Sequence, residues 1–159
     1  MTVSRPILFA TDGSPSAELA QREAFELAHR LDAPLVVVSV AHAHLPAVGY
    51  AGYGYSNIVS ELTQAEHKRV RELLATIAAS ACAAGLSCST VMADGLAVDE
   101  ICQVASDHDV QLIVVGSHGW SAARRFFSGS VSTGLVHSAP CPVLVVRPSA
   151  QPAEHAAAA

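Results

Sequence analysis

The sequence predicts an α/β fold in which helices cover both faces of a single parallel sheet. Short apolar segments alternate with segments of helical spacing along most of the chain, as in a doubly wound sheet. The segment 35-LVVVSVA-41 is apolar at almost every position, which is typical of a strand covered on both faces. The composition agrees, because 51% of the residues are hydrophobic and only 5% are aromatic, so we expect an aliphatic core.

Five strands are predicted, and turn or helix signals separate them. They are 7-ILFATD-12, 35-LVVVSVA-41, 86-LSCSTVMA-93, 112-LIVVG-116 and 143-VLVVR-147. The third strand alternates in polarity and is expected at an edge, whereas the fourth is continuously apolar and is expected inside the sheet. The alternation implies right-handed crossovers, and we expect the strand order 3-2-1-4-5 of a Rossmann-like sandwich.

Four helices are predicted between these strands, over about residues 14–30, 58–84, 98–108 and 131–138. The second helix has a core face at helical spacing, formed by Leu62, Val70, Leu73, Leu74 and Ile77. The segment before it, 42–57, is rich in Gly, Tyr and Pro and is expected to be a mobile flap. Its Tyr-Gly part, 49–55, could be a lid over a ligand, a partner surface or a disordered stretch.

Length and charge limit the class of protein. The 159 residues suit one domain, which we expect over residues 1–148, followed by a disordered tail at 149–159 that has no apolar period. The formal net charge of −5 argues against nucleic-acid binding, which needs a basic face. No apolar run approaches the roughly 20 residues that span a bilayer, so no membrane association is expected.

The cysteines match no metal-binding pattern. Cys82, Cys88, Cys102 and Cys141 form no C-x-x-C or Cys/His ligand spacing, so we expect reduced and mostly buried thiols and no protein-held metal. With no signal-peptide pattern at the amino terminus, these features predict a cytoplasmic protein.

The stretch 116-GSHGWSAARRFFSGSVS-132, between the fourth strand and the last helix, has the composition of a phosphate loop. Gly129 would let the backbone approach a phosphate, and the amides of Ser130, Val131 and Ser132 would converge on it at a helix amino terminus. Gly116 and Gly119 would let the other wall bend around the ligand. No P-loop lysine motif and no dinucleotide G-x-G-x-x-G is present, so binding is better supported than turnover and no catalytic residue is predicted.

The strand order places Asp12 beside this loop. Asp12 ends the first predicted strand and Gly116 ends the fourth, and such sheets bind ligands where these two carboxyl ends meet. Asp12 could contact a ligand there, or it could cap the following helix or stabilise the turn with Gly13. Arg124 and Arg125 could close over phosphates or form a solvated surface.

These motifs together resemble a known family. The spacing Gly116-x2-Gly119-x9-Gly129-Ser130 is similar to the nucleotide-binding motif of the ATP-binding branch of the universal stress proteins. The segments 7-ILFATDGSPSA-17 and 137-HSAPCPVLVVR-147 resemble the family's first and last strands, and the resemblance extends over residues 3 to 147. The sequence departs from the family pattern at Trp120 and at Thr133-Gly134.

The resemblance implies a homodimer that holds ATP or a related adenine nucleotide in each subunit, with Mg²⁺ bound mainly through the phosphates. By position in the motifs, it assigns a first-strand wall near the adenosine to Ala10, Thr11, Asp12 and Ser14, an adenine edge contact to Val40, a ribose and phosphate wall to Val115, Gly116 and Gly119, and a phosphate cradle to Gly129, Ser130, Val131 and Ser132.

The expected function is therefore that of an ATP-binding module with a regulatory or protective role in stress. A slow ATPase or phosphotransferase, a cyclic AMP binder and a nucleotide-free interaction protein are the alternatives. The last strand, Val143 to Val146, is apolar and is expected at a sheet edge, where pairing with a second copy would cover it.

Overall fold

The computed structural model describes residues 4–41, 55–117 and 130–148. Strands and helices alternate throughout these ranges, as the sequence predicts. In chain order the elements are β1 Ile7–Ala10, α1 Pro15–Leu31, β2 Leu35–Ala41, α2 Tyr55–Ala83, β3 Cys88–Asp94, α3 Ala97–Asp107, β4 Leu112–Gly116, α4 Ser130–Ser138 and β5 Val143–Val146.

The strands form one parallel sheet in the order β3-β2-β1-β4-β5. The predicted order is confirmed, with β3 at one edge and β4 inside. Ala10 at the end of β1 lies opposite Val38 of β2 and Val115 of β4. The residues that follow β1 and β4 therefore leave the sheet side by side at its carboxyl edge.

Each face of the sheet has its own apolar cluster, because successive residues of a strand point to opposite faces. On one face, Ile7, Phe9, Leu35 and Val37 pack against alanines of α1 and against Val70, Leu74 and Ile77 of α2. On the other face, Leu8, Ala10, Val36 and Val38 pack against Ile101 and Val104 of α3 and Leu135 of α4. We call these the first and second clusters.

The longest helix differs from its prediction in two ways. It begins at Tyr55 rather than at residue 58, so residues 55–57 belong to α2 and not to a flap. The prediction that Leu62 lies in the core is wrong, because its exposed fraction is 48%. The 29 residues of α2 extend about 44 Å, whereas the seven of β3 extend about 23 Å, so the amino-terminal turns of α2 reach past the sheet.

The cysteines and the strand ends also need correction. Cys82 is exposed and the other three cysteines are half-buried, so the prediction of mostly buried thiols is wrong, although all four are free. Burial raises the pKa of the Cys88, Cys102 and Cys141 thiols. β1 ends at Ala10, two residues earlier than predicted, because the next residues form a turn.

Some predictions fall outside the described residues. They include the tail from residue 149 and, apart from Tyr55, the Tyr-Gly segment. None of the helices that the structure describes is long and apolar enough to cross a membrane.

The packing of α4 on α3 explains Gly134, one of the departures from the family pattern. A Cβ at this position would lie 2.6 Å from Val98 Cγ2 and 3.6 Å from Val98 Cβ. We expect Gly134→Ala to destabilise the protein by about 1–3 kcal/mol through this overlap, and Val98→Ala to relieve it. Urea unfolding of both single variants and of the double variant measures the effect. If the double variant loses as much stability as the two single variants together, the overlap is contradicted.

Ser39 of β2 places a hydroxyl in the core. The residue is 1% exposed, and its Oγ has no hydrogen-bond partner among the described residues. An unpaired buried hydroxyl is unfavourable, so we expect Ser39→Ala to raise the free energy of unfolding by about 1 kcal/mol. Thermal unfolding of this variant tests the expectation. Ser14→Ala is the control, because it removes a hydroxyl that caps α1 and should lower stability by a similar amount; a destabilised Ser39→Ala would show that the hydroxyl has a partner.

Candidate functional site

The turn between β1 and α1 is held by its own side chains. Thr11 Oγ1 accepts from the Gly13 amide at 3.1 Å, Asp12 Oδ1 accepts from the Ser14 amide at 2.9 Å, and Ser14 Oγ accepts from the Ala17 amide at 3.3 Å. Gly13 has φ +77°, a left-handed conformation that favours glycine. The amides of Gly13, Ser14 and Ala17 are thus bonded within the protein, and the structural role considered for Asp12 is present.

Gly116, at the end of β4, lies directly against the first turn of α1. A Cβ built on it would lie 2.4 Å from Ser16 Oγ and 2.8 Å from both the carbonyl carbon and the oxygen of Ser16. The next residue, Ser117, is 3% exposed and donates its amide to Val146 O at 2.9 Å. The absence of a side chain at position 116 is therefore needed for packing, independently of any ligand.

Four of the predicted site residues meet in the second cluster, although they come from four elements. Ala10 of β1, Val40 of β2 and Val115 of β4 are 3%, 9% and 7% exposed, and Val131 of α4 packs against the same cluster. They therefore share the face of the sheet that α3 and α4 cover. Their side chains form the apolar part of the sheet face next to its carboxyl edge.

The start of α4 lies on this same face. The helix begins at Ser130, has no acidic residue in its first turn, and buries Ser132 to 6% exposure. Its first amides and its dipole favour an anion. Gly119 and Gly129, which the sequence assigns to the same loop, are outside the described ranges, as are His118, Arg124 and Arg125.

The structure adds one residue that the sequence did not indicate, Arg69 of α2. Its Nη1 donates to the main-chain oxygen of Asp12 at 3.3 Å, while its Nε and Nη2 donate to the two carboxylate oxygens of Glu66 at 2.9 and 2.8 Å. The hydrogen bonds with Glu66 raise the pKa of Arg69, against a smaller opposing effect of burial. The Glu66–Arg69 spacing is visible in the sequence, but the contact with a turn 57 residues earlier is not.

No group of three or more His, Cys, Asp or Glu side chains could hold a metal ion within the ranges that the structure covers. The polar residues that the described elements bring to the carboxyl edge between β1 and β4 include Thr11, Asp12, Ser14, Ser117 and Ser132. This edge therefore brings a carboxylate and a helix amino terminus next to the apolar second cluster.

Comparison with known proteins gives a consistent result. The sequence model of the Universal stress protein family matches residues 4–147. A universal stress protein of Methanocaldococcus jannaschii is 32% identical over 143 residues, which cover 90% of this chain and 82% of that protein. Among solved structures, the universal stress protein UspA of Lactobacillus plantarum superposes with a TM-score of 0.72 and 27% identity. The superposition covers 92% of this chain and 100% of that one.

Two more distant structures were solved with a nucleotide. A universal stress protein in complex with cAMP has a TM-score of 0.63 at 22% identity, covering 91% of this chain and 98% of that one. An Arabidopsis thaliana family member with AMP bound has a TM-score of 0.64 at 20% identity, covering 92% of this chain and 93% of that one. At these identities the two structures establish a shared fold.

Proposed function

Because this chain belongs to the universal stress protein family, we propose that it binds an adenine nucleotide, with ATP as the leading candidate, and acts as a nucleotide-dependent regulatory or protective module in the stress response. The nucleotide would lie at the carboxyl edge between β1 and β4. Relatives of the same fold solved with AMP and with cAMP support the adenine nucleotide as the class of ligand.

The observation that carries this proposal is the meeting of Ala10, Val40, Val115 and Val131 in one cluster, beside the start of α4. An aromatic base packs against apolar side chains, and a phosphate binds the free amides at a helix start. The apolar residues of the second cluster and the start of α4 lie on one face of the sheet. This arrangement would hold the adenosine against the strand ends and the phosphates at Gly129, Ser130, Val131 and Ser132.

The roles proposed for the other site residues are those that the resemblance assigns by position in the family's motifs. The Asp12 carboxylate would accept a hydrogen bond from the adenosine, next to the turn that Thr11 and Ser14 stabilise. Gly116 and Gly119 would border the ribose and phosphates. A Mg²⁺ ion would be held by the phosphates of ATP themselves, as the carboxyl edge has one carboxylate between β1 and β4 in the described chain.

We also propose that two copies associate through β5. This strand is the outer strand of the sheet next to β4, and all four of its residues, Val143–Val146, are half-buried in the single chain. An apolar edge strand is a ready pairing site for its own copy. The free thiols fit a reducing compartment, which is the basis for placing the protein in the cytoplasm. Sedimentation analysis tests the dimer: a monomer at micromolar concentrations would contradict it.

The experiment that tests the nucleotide proposal begins with denaturing the purified protein and identifying released small molecules by chromatography and mass spectrometry. The emptied and refolded protein is then titrated calorimetrically with ATP, ADP, AMP and cAMP, with and without Mg²⁺. Saturable binding of at least one of them is the expected result, and tightest binding of ATP would support the leading candidate. Tightest binding of cAMP would favour that alternative, and no binding of any would contradict the proposal.

A further inference from the structure

Helix α2 holds the β1–α1 turn from the side opposite to the second cluster. Two side chains make this contact. Arg69 donates to the main-chain oxygen of Asp12. Leu73 packs closely on Gly13, because a Cβ built on Gly13 would lie 3.3 Å from Leu73 Cδ2. The turn that carries Asp12 is therefore fixed both by its own hydrogen bonds and by a helix from another part of the chain.

Glu66 fixes the direction of the Arg69 side chain. The guanidinium is planar and rigid, so a carboxylate that accepts from both Nε and Nη2 determines where Nη1 points. The Glu66 side chain is only 18% exposed, whereas that of Arg69 is 47% exposed. A half-exposed ion pair adds little to stability by itself, so its geometric effect on Nη1 is the more important consequence.

Arg69 also changes the electrostatics of the site. It interacts favourably with the carboxylate charge of Asp12 as well as with that of Glu66. A nucleotide brings further negative charge to this edge, and a carboxylate beside it is unfavourable unless a cation lies near. Arg69 is the cation that the described structure shows in contact with the Asp12 turn.

We propose that Arg69, oriented by Glu66, is a positioning residue for nucleotide binding: it holds the main chain of Asp12 and offsets the charge of its carboxylate. This inference rests on the proposed nucleotide site. Arg69 acts through Asp12, and no contact between Arg69 and the ligand is needed. It assigns to α2 a part in ligand affinity that none of the twelve motif residues supplies.

The test compares Arg69→Met with Arg71→Met. Arg71 lies two residues away on α2, is exposed, and undergoes the same loss of charge. The dissociation constant of whichever adenine nucleotide binds the wild type most tightly is measured by calorimetry, at a temperature where circular dichroism shows each variant to be folded. Arg69→Met is expected to weaken binding about tenfold, equivalent to about 1.4 kcal/mol, while Arg71→Met leaves it unchanged.

Two further variants separate positioning from general stability. Arg69→Lys keeps the positive charge but loses the planar set of guanidinium donors, so it should recover part of the affinity. In a double-mutant cycle of Asp12→Asn with Arg69→Met, the losses of affinity should be less than additive, because the asparagine variant lacks the carboxylate charge that Arg69 offsets. A purely structural role would give additive losses and a lower melting temperature of the free protein, without recovery by lysine.

The outcomes distinguish this inference from the proposed function. A wild type that binds no adenine nucleotide contradicts both. A wild type that binds, with Arg69→Met binding equally well, overturns the role of Arg69 and leaves the nucleotide site standing. Additive losses in the cycle also overturn it. Weakened binding with recovery by Arg69→Lys and a non-additive cycle supports it.

Discussion

Gly116→Ala is expected to destabilise the protein by about 3 kcal/mol, at the upper end of the cost of overpacking a well-packed site. The new Cβ would lie 2.4 Å from Ser16 Oγ and 2.8 Å from the carbonyl carbon and oxygen of Ser16. Because two of these three atoms belong to the backbone of α1, rotation of a side chain cannot remove the overlap. For a chain of this size the melting temperature should fall by roughly 6–12 °C.

The matched control is Gly85→Ala. Gly85 has φ +74°, so alanine is strained there, but its Cβ would meet nothing within 4 Å. We expect a cost of about 1–2 kcal/mol from backbone conformation alone. Urea unfolding of the two variants without nucleotide makes the comparison, and a Gly116→Ala variant as stable as Gly85→Ala would refute the close packing of β4 on α1. If the packing is as described, lost nucleotide binding in a Gly116 variant does not by itself identify a ligand contact.

Asp12→Asn is expected to give the largest loss of affinity relative to its effect on stability. The asparagine side-chain oxygen can still accept from the Ser14 amide, which Asp12 Oδ1 does at 2.9 Å, so the turn should survive. The ionised carboxylate that would accept a hydrogen bond from the adenosine is replaced by a neutral amide. Hydrogen bonds to an ionised acceptor are stronger than those between neutral groups. We therefore expect nucleotide affinity to fall by about tenfold or more.

The control for this prediction is Asp107→Asn. Asp107 ends α3 at the opposite edge of the sheet and accepts from Gln103 Nε2, so its replacement makes the same change of charge away from the site. Calorimetric titration and thermal unfolding are measured on both variants. Unchanged or tighter nucleotide binding by Asp12→Asn would show that the carboxylate does not contact the ligand.

The strands were predictable because their composition is distinctive. β2 and β4 have the bounds that the sequence predicts, since each is a continuous apolar run between clear turn signals. The alternation of strands and helices indicated a parallel sheet, and the strand order expected for it is confirmed. Leu62 was misassigned for the opposite reason: periodicity identifies the face of a helix, but it does not reveal that the helix extends beyond the sheet it covers.

The local part of the candidate site was also predictable. Asp12 and Ser14 act on amides within three residues of themselves, so their turn and cap roles can be read from a short segment. Contacts between distant segments could not be read in this way. The approach of Arg69 to Asp12 depends on where α2 crosses the sheet, and the need for glycine at 116 depends on how closely α1 packs there.

The central claim is that an adenine nucleotide binds at the carboxyl edge between β1 and β4. It is tested most directly by following the backbone amide signals of the ¹⁵N-labelled protein by NMR during titration with ATP and Mg²⁺. We predict saturable shifts at Gly13, Ser117 and Val131, with Gly85 and Val110 at the opposite edge unchanged. Shifts confined to the opposite edge, or none at all, would contradict the claim.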